Sequence, residues 1–570
     1  MPFAALLLLL VASACAGPPP SSQGQSATGS GTVGIAAPKV ATLGLDEDLR
    51  NLWNAVTDGG GGGEGEKVMP VVHQPLAANT ADGSAQPRLL RELPSIEGGT
   101  WKVFDDGSME TTWKLRPAFW HDGTPFSARD ILFSFQVFRD PDLPNSRQGI
   151  VKFIASMEQA DAMTVVVRWG ETYPYADRIE LRELLILPAH LLESTYLEAK
   201  QQLLNQPYFS TNEYVGLGPF RITAWEPGSH LDLAAFDQFF LGRPRLDRIE
   251  VKFIPDSNAL IANLKAGAVQ STFGSKKLDR DSLRSLRRDW EARAEGTVMV
   301  FPSNYKFAEI QKLYNPQPAD LTDVRARRAL LHAIDRQELA RTAWEDRGLV
   351  ADSWVNPNFP RYQEVKDSIT QYPYDVRRAS ALLEEIGWQR GPDGVLQKDG
   401  KPFALTIRDM EGEKQPLIVA DYWKAIGVVG TYEYESPSQL QDRQWRATFS
   451  GVVMYRNGTD LPTVAQKIAT SNIPTPGNRW TGSNRGGYSN PEWNELGDRA
   501  VATLDDGTRL DLERRLLEIY TRDLPLLPLF FHFEELPVAR TLTGIVPYTG
   551  TAPNAVTYLT WNVHEWDVIP

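Results

Sequence analysis

The chain has 570 residues and a formal net charge of −13, with apolar residues at 42% and charged residues at 23%. That length exceeds one ordinary hydrophobic core and predicts two or three domains. The acidic balance, without a long Lys/Arg run, argues against a nucleic-acid partner.

Near the amino terminus, Ala4 to Ala14 is an apolar run ending in small residues. It is far shorter than the roughly 20 residues of a membrane span and reads as a secretory signal over residues 1–14. Ala12-Ser13-Ala14-Cys15 resembles the lipobox of bacterial lipoproteins. That resemblance implies cleavage before Cys15 and lipidation of its thiol, which anchors the chain in a lipid bilayer. A plain signal with an incidental cysteine is the alternative. Cys15 is the only cysteine, so no internal disulfide and no thiolate metal cluster can form. Residues 15–37, rich in Gly, Ser, Ala and Pro, read as a flexible tether. DGGGGGEGEK, residues 58–67, lacks the Gly-Lys-Ser/Thr of a phosphate-binding loop and reads as a mobile surface loop.

From residue 100 onward strands and helices mix. WKVFDDGSMETTWKLR carries two strand-like runs around Asp105-Asp106-Gly107, a hairpin signal. WHDGTPFSARDILFSF, residues 120–135, places His121 beside Asp122, with Ser127 and Asp130 following. Ser127 with Asp130 three residues on is a capping box, and Ile131, Leu132, Phe135 and Phe138 then recur at helical spacing. TDVRARRALLHAIDRQELARTAW reads as two helices, the second capped by Asp335. YDVRRASALLEEIGW starts a helix at Asp375 and stops it at Gly387. SNPEWNELGDRAV starts one at Asn490 with Pro491 in the first turn. ADAMTVVVRW, HLDLAAF, RIEVKFI, GTVMVFP and FALTIRD suggest strands. The irregular alternation predicts an α/β or α+β assembly with mixed sheets.

Several blocks stand in the order seen in one family. GTWKVFDDGSMETTWKLRPAFWHDGTPFSARDILFSF, GLGPFRITAWEPGSHLDLAAFDQFFLGRPRLDRIEVKFIPD, LTDVRARRALLHAIDRQEL, YDVRRASALLEEIGW, GGYSNPEWNEL and IYTRDLPLLPLFFH resemble the family 5 extracellular solute-binding proteins of bacterial ABC importers. The resemblance implies an α/β, two-lobed periplasmic-binding-protein-like fold (type II, cluster C) with an extra subdomain inserted in the first lobe. Residues 38–75, 205–302 and 526–570 would form lobe I, 76–204 the inserted subdomain and 303–525 lobe II. The hinges would fall near 299–303 and 525–531, both of which read as short buried strands with Pro at the edges. A solute would be enclosed between the lobes and handed to a membrane permease. A peptide leads as the ligand; an oligosaccharide or another small solute is the alternative. The implied protein is a monomer without cofactor or metal, outside the cytoplasm, as a membrane lipoprotein or in the periplasmic space.

Peptide-binding members often carry an aspartate that meets the ligand's amino terminus; here MYRNGTDLPT offers Asp460. A turn aspartate before Leu461-Pro462 is its alternative role. Arg456 and Arg485 suit a carboxylate held by two hydrogen bonds, or are surface charges. Tyr455 and Trp480 suit a stacking wall, or are core. Asn484 lies in the polar loop WTGSNRGGY, and Tyr305 just past a hinge. For a hydrolase, the seven histidines supply no H-E-x-x-H and the chain no G-x-S-x-G, so no enzyme is expected.

Overall fold

The computed structural model describes residues 37–52, 63–81, 84–143, 149–274, 278–409, 414–436, 438–547 and 559–569. Cys15, the expected signal and the tether as far as residue 36 lie outside them. The described residues from Lys39 onward group as one compact unit.

A mixed ten-stranded sheet organises this unit. Its strands in chain order are β1 (Val40–Leu45), β2 (Phe220–Glu226), β3 (His230–Ala235), β4 (Arg248–Phe253), β5 (Ser271–Thr272), β6 (Gly296–Ile310), β7 (Ala404–Asp409), β8 (Val429–Tyr434), β9 (Val452–Asn457) and β10 (Leu526–Ala539). In space they run β8-β7-β9-β6-β10-β5-β1-β4-β3-β2. β1 lies parallel to β4, with Leu43 opposite Val251, and β4-β3-β2 continue as an antiparallel meander. β7 is parallel to both β8 and β9. β4 alternates exposed or half-buried Arg248, Glu250 and Lys252 with buried Ile249, Val251 and Phe253, as a strand covered on one face requires. β10 is buried along nearly its whole length, the pattern of a strand covered on both faces.

Two large hydrophobic clusters lie along this sheet. One gathers residues from Ala41 to Phe253 with Phe301, Leu536, Val538 and the C-terminal Trp566. The other runs from Tyr305 to Phe533. The antiparallel pair β6 and β10 passes from one to the other between Phe301 and Tyr305 and between Phe533 and Leu536. These strands are longer than the short runs the sequence suggests: prolines 302, 528 and 537 lie inside them. The register shifts beside Pro302 and Phe307, whose partner is Pro528. Proline donates no ladder hydrogen bond, and a bulge absorbs it without ending the strand. A four-stranded sheet, Trp101–Val103, Met109–Lys114, Thr164–Trp169 and Ile154–Asp161, packs into the first cluster.

The helices that matter below are α1 (Gly63–Val72), α2 (Ala128–Arg139), α3 (Arg443–Ala447), α4 (Leu461–Lys467) and α5 (Asp506–Asp523). α1 corrects the reading of 58–67 as a loop, since the helix already starts at Gly63. Val68, Met69, Val71 and Val72 are fully buried, and that burial outweighs the poor helix propensity of glycine. The helices expected from Asp335, Asp375 and Asn490 form, each with its cap side chain accepting a backbone amide. No helix among the described residues is long and apolar enough to cross a membrane.

Candidate functional site

A cavity of about 260 Å³ opens where the two clusters meet. Tyr175 and Arg178, on the segment after Thr164–Trp169, form one wall; Tyr175 packs against the first cluster. The opposite wall comes from the second cluster's side: Val355 and Phe359, Arg361, the β9–α4 connection Thr459-Asp460-Leu461-Pro462, and Asp506, Arg509 and Glu513 of α5.

Asp460 sits there for a local reason. It caps α4, and its Oδ1 accepts the Thr463 amide at 2.8 Å, while Pro462 occupies the first turn, where a missing N–H costs nothing. Burial pushes its carboxyl above the usual aspartate range, against the hydrogen bonds from Thr463. Around it the charges pair off. Arg361 Nε donates to Glu513 at 2.8 Å, and Arg509 Nη2 to Asp506 at 2.6 Å. Asp460 has no arginine or lysine partner among the described residues. Burial raises the Tyr175 hydroxyl to about 12, so it remains a hydrogen-bond donor. The wall thus offers one carboxylate without a counter-cation, an aromatic face and an apolar floor of Val355, Phe359 and Leu461. Such a site suits a solute with a cationic end and an apolar body.

Of the residues singled out in the sequence, Asp460 alone lines this cavity. Tyr455 is buried on β9 and donates to Glu435 Oε2 at 2.9 Å, with the Arg485 guanidinium 5.1 Å from its ring centre. Arg456 points from the same strand toward His532, at 2.8 Å. Trp480 packs edge-on against Tyr314. Asn484 is 1% exposed; its amide donates to the carbonyls of Ile468, Ala469 and Tyr488 and accepts the Tyr488 amide. Those bonds occupy the side chain in holding the loop together. Tyr305 is fully buried, its hydroxyl 3.3 Å from that of Tyr520. Tyr175, Arg178, Phe359, Arg361, Asp506, Arg509 and Glu513 carry no signal in the sequence, since each belongs to a segment that reads as ordinary helix or loop.

The His121 region is a structural staple. Ser127 and Asp130 form the capping box of α2, and Asp130 Oδ1 also accepts the Ala189 amide at 3.0 Å. His121 Nε2 donates to the Gly218 carbonyl at 3.0 Å, and His190 meets Asp122 at 2.8 Å. Among the described residues no group of three or more His, Cys, Asp or Glu side chains is placed to hold a metal ion.

Residues 98–477 match the sequence model of "Bacterial extracellular solute-binding proteins, family 5 Middle". The chain belongs to this family. An oligopeptide-binding protein of Bacillus subtilis, AppA, is 26% identical over 336 residues, 57% of this chain and 58% of that protein. The chain therefore spans under two thirds of that relative's length. The dipeptide-binding protein of Escherichia coli is 25% identical over 63% of this chain and 68% of its own. The heme-binding protein A of Haemophilus influenzae is 24% identical over 78% and 80%. Among solved structures, the oligopeptide-binding protein of Thermus thermophilus with a pentapeptide superposes with a TM-score of 0.71 at 23% identity, covering 93% of this chain and 96% of that one. NikZ of Campylobacter jejuni with Ni(L-His) gives 0.72 at 23% identity, covering 93% and 99%. These likenesses show the fold, that of the two-lobed family 5 binding proteins. The family and these relatives are binding proteins.

Proposed function

We propose that this chain is the substrate-binding component of an ABC importer, capturing a peptide between two closing lobes and delivering it unaltered to a membrane permease. The observation that carries this reading is the cavity lined by Tyr175 and Arg178 from one side and by Asp460 from the other. A ligand touching both walls favours the closed form over the open one. Asp460 would hold the cationic amino terminus, and Tyr175 and Phe359 would flank the first side chain. The names of the Bacillus, Escherichia and Thermus relatives support peptide as the ligand class.

The lobes would be 38–75, 205–302 and 526–570 for lobe I, 76–204 for the insertion and 303–525 for lobe II, except that Leu526 to Phe533 pack in the second cluster and would move with lobe II. The hinge would lie where β6 and β10 change cluster, near residues 302–304 and 534–535. An acylated Cys15 would hold the monomer at the outer face of a membrane. No chemistry on the ligand is part of this reading. Mass spectrometry of what co-purifies with the protein, followed by titration calorimetry with a random di- to pentapeptide pool, tests it. Peptides in the spectrum and saturable heat are expected; an oligosaccharide, or a pool that gives no heat, would overturn the peptide assignment.

A further inference from the structure

Arg280, Arg284 and Arg287 recur at helical spacing and share one face of the helix Arg280–Arg293. Leu283, Leu286 and Trp290 of the same helix are buried with Leu260 and Leu264 in a small cluster of their own. The three arginines meet the end of another helix, Arg336–Trp344, whose apolar side belongs to the second large cluster. Arg280 and Arg284 donate to the Ala343 carbonyl at 3.3 and 3.4 Å. The last carbonyls of a helix lack intrahelical partners and carry the negative end of its dipole, so cations suit them. Arg280 also stacks 3.9 Å from the centre of the Trp344 ring and lies 3.0 Å from His532 Nε2. The Glu345 carboxylate meets Arg284 Nε at 3.1 Å with one oxygen and Arg287 Nη2 at 3.2 Å with the other.

Glu345 holds its carboxylate there against a local cost, because its φ of +55° is one that glycine adopts without strain. The joint is polar, and the Glu345 side chain is 47% exposed, so water competes for these ion pairs and they part cheaply. A second acceptor stands nearby. Glu535, where β10 changes cluster, is raised by burial and lowered by Arg280, Arg284 and Arg287, yet Arg284 and Arg287 pair with Glu345 instead. We propose that these contacts form a clasp between the lobes, made in the closed form and released in the open one, which sets how readily the protein closes before a solute arrives. On release the arginines turn to Glu535, so opening leaves them paired. The clasp rests on the two-lobe reading above, in which the helix Arg280–Arg293 belongs to lobe I and Trp344, Glu345 and His532 to lobe II.

Small-angle X-ray scattering and calorimetry of the full chain test it, on the wild type and Glu345→Gln, each alone and with the random di- to pentapeptide pool. Affinity scales with the closed fraction. Loss of two exposed ion pairs is therefore expected to enlarge the ligand-free protein, to raise the half-saturating peptide concentration by about threefold or more, or both. Glu345→Gly removes the backbone strain together with the carboxylate. It should give the same shift with a thermal midpoint no lower than that of Glu345→Gln, which separates the clasp from a loss of fold. Glu338→Gln removes an equal charge from the same helix, where Glu338 pairs with Arg341, and should leave both readouts unchanged. Folded Glu345 variants that match the wild type in both readouts, or that bind peptide more tightly, would overturn the clasp. A wild type that scatters alike with and without bound peptide would overturn the closing lobes and the clasp with them. A pool that gives no heat would overturn only the peptide assignment, and ligand-free scattering then decides the clasp alone.

Discussion

The Gly216 amide donates to Nδ1 of His121 over 3.1 Å. The ring's other nitrogen donates to Gly218, so the contact requires the neutral imidazole with its hydrogen on Nε2. Burial lowers the His121 pKa from 6.5 to about 4, with the Gly218 bond opposing. A lowered histidine contributes stability that is present above its unfolded value and is lost as pH falls from 6.5 toward 4. About 3 kcal/mol is at stake. Urea denaturation of His121→Ala is expected to show a smaller acid loss over that interval than the wild type; equal losses would remove His121 from the acid response.

Glu180 has the opposite sign. Burial raises it from 4.5 to about 7, against the hydrogen bonds that its Oε1 accepts from the Asn79 amide at 2.7 Å and side chain at 2.9 Å. The folded state holds this proton more tightly than the unfolded state, so stability rises as pH falls through 7 and the gain is complete below 4.5. Glu180→Gln keeps the acceptor and removes the titration. The variant is expected to be more stable than the wild type at pH 8, by up to about 3 kcal/mol, and to lose that advantage at pH 4.5.

Gly218 is held by close approach of the backbone. A Cβ there would stand 2.2 Å from the Val72 carbonyl carbon and 2.4 Å from the His73 nitrogen. Its amide donates to Val72 O at 3.0 Å, pinning α1 to the loop before β2. Gly218→Ala is expected to cost about 3 kcal/mol or more in thermal or chemical denaturation, because backbone rather than a movable side chain must yield.

Asp460→Asn is expected to weaken peptides with a free amino terminus by about tenfold or more, near 1.4 kcal/mol, and to leave N-acetylated peptides little changed. Because burial raises its carboxyl, wild-type affinity for free-amine peptides should fall as pH drops through that raised value. Equal affinities in calorimetry would take Asp460 out of the site.

Local chemistry was readable in the chain. The caps at Asp335, Asp375 and Asn490 involve residues two or three positions apart, so spacing alone reveals them. The capping box of Ser127 and Asp130 separated architecture from catalysis for the same reason. α1 was missed because five glycines in a row hide the apolar Val68, Met69, Val71 and Val72 that follow and are buried by distant partners.

The order of sequence blocks determined the family and with it the α/β fold, since these blocks record turns, caps and core positions that short stretches of chain specify. The cavity was decided only in three dimensions. Tyr175 and Arg178 meet Asp460, Arg509 and Glu513 because β6 and β10 carry the chain between two cores. Asn484 and Tyr305 stand in polar or hinge-adjacent sequence yet are buried and hydrogen-bonded. Whether a polar side chain faces solvent, ligand or backbone depends on which remote segment packs over it, and local spacing holds no record of that contact.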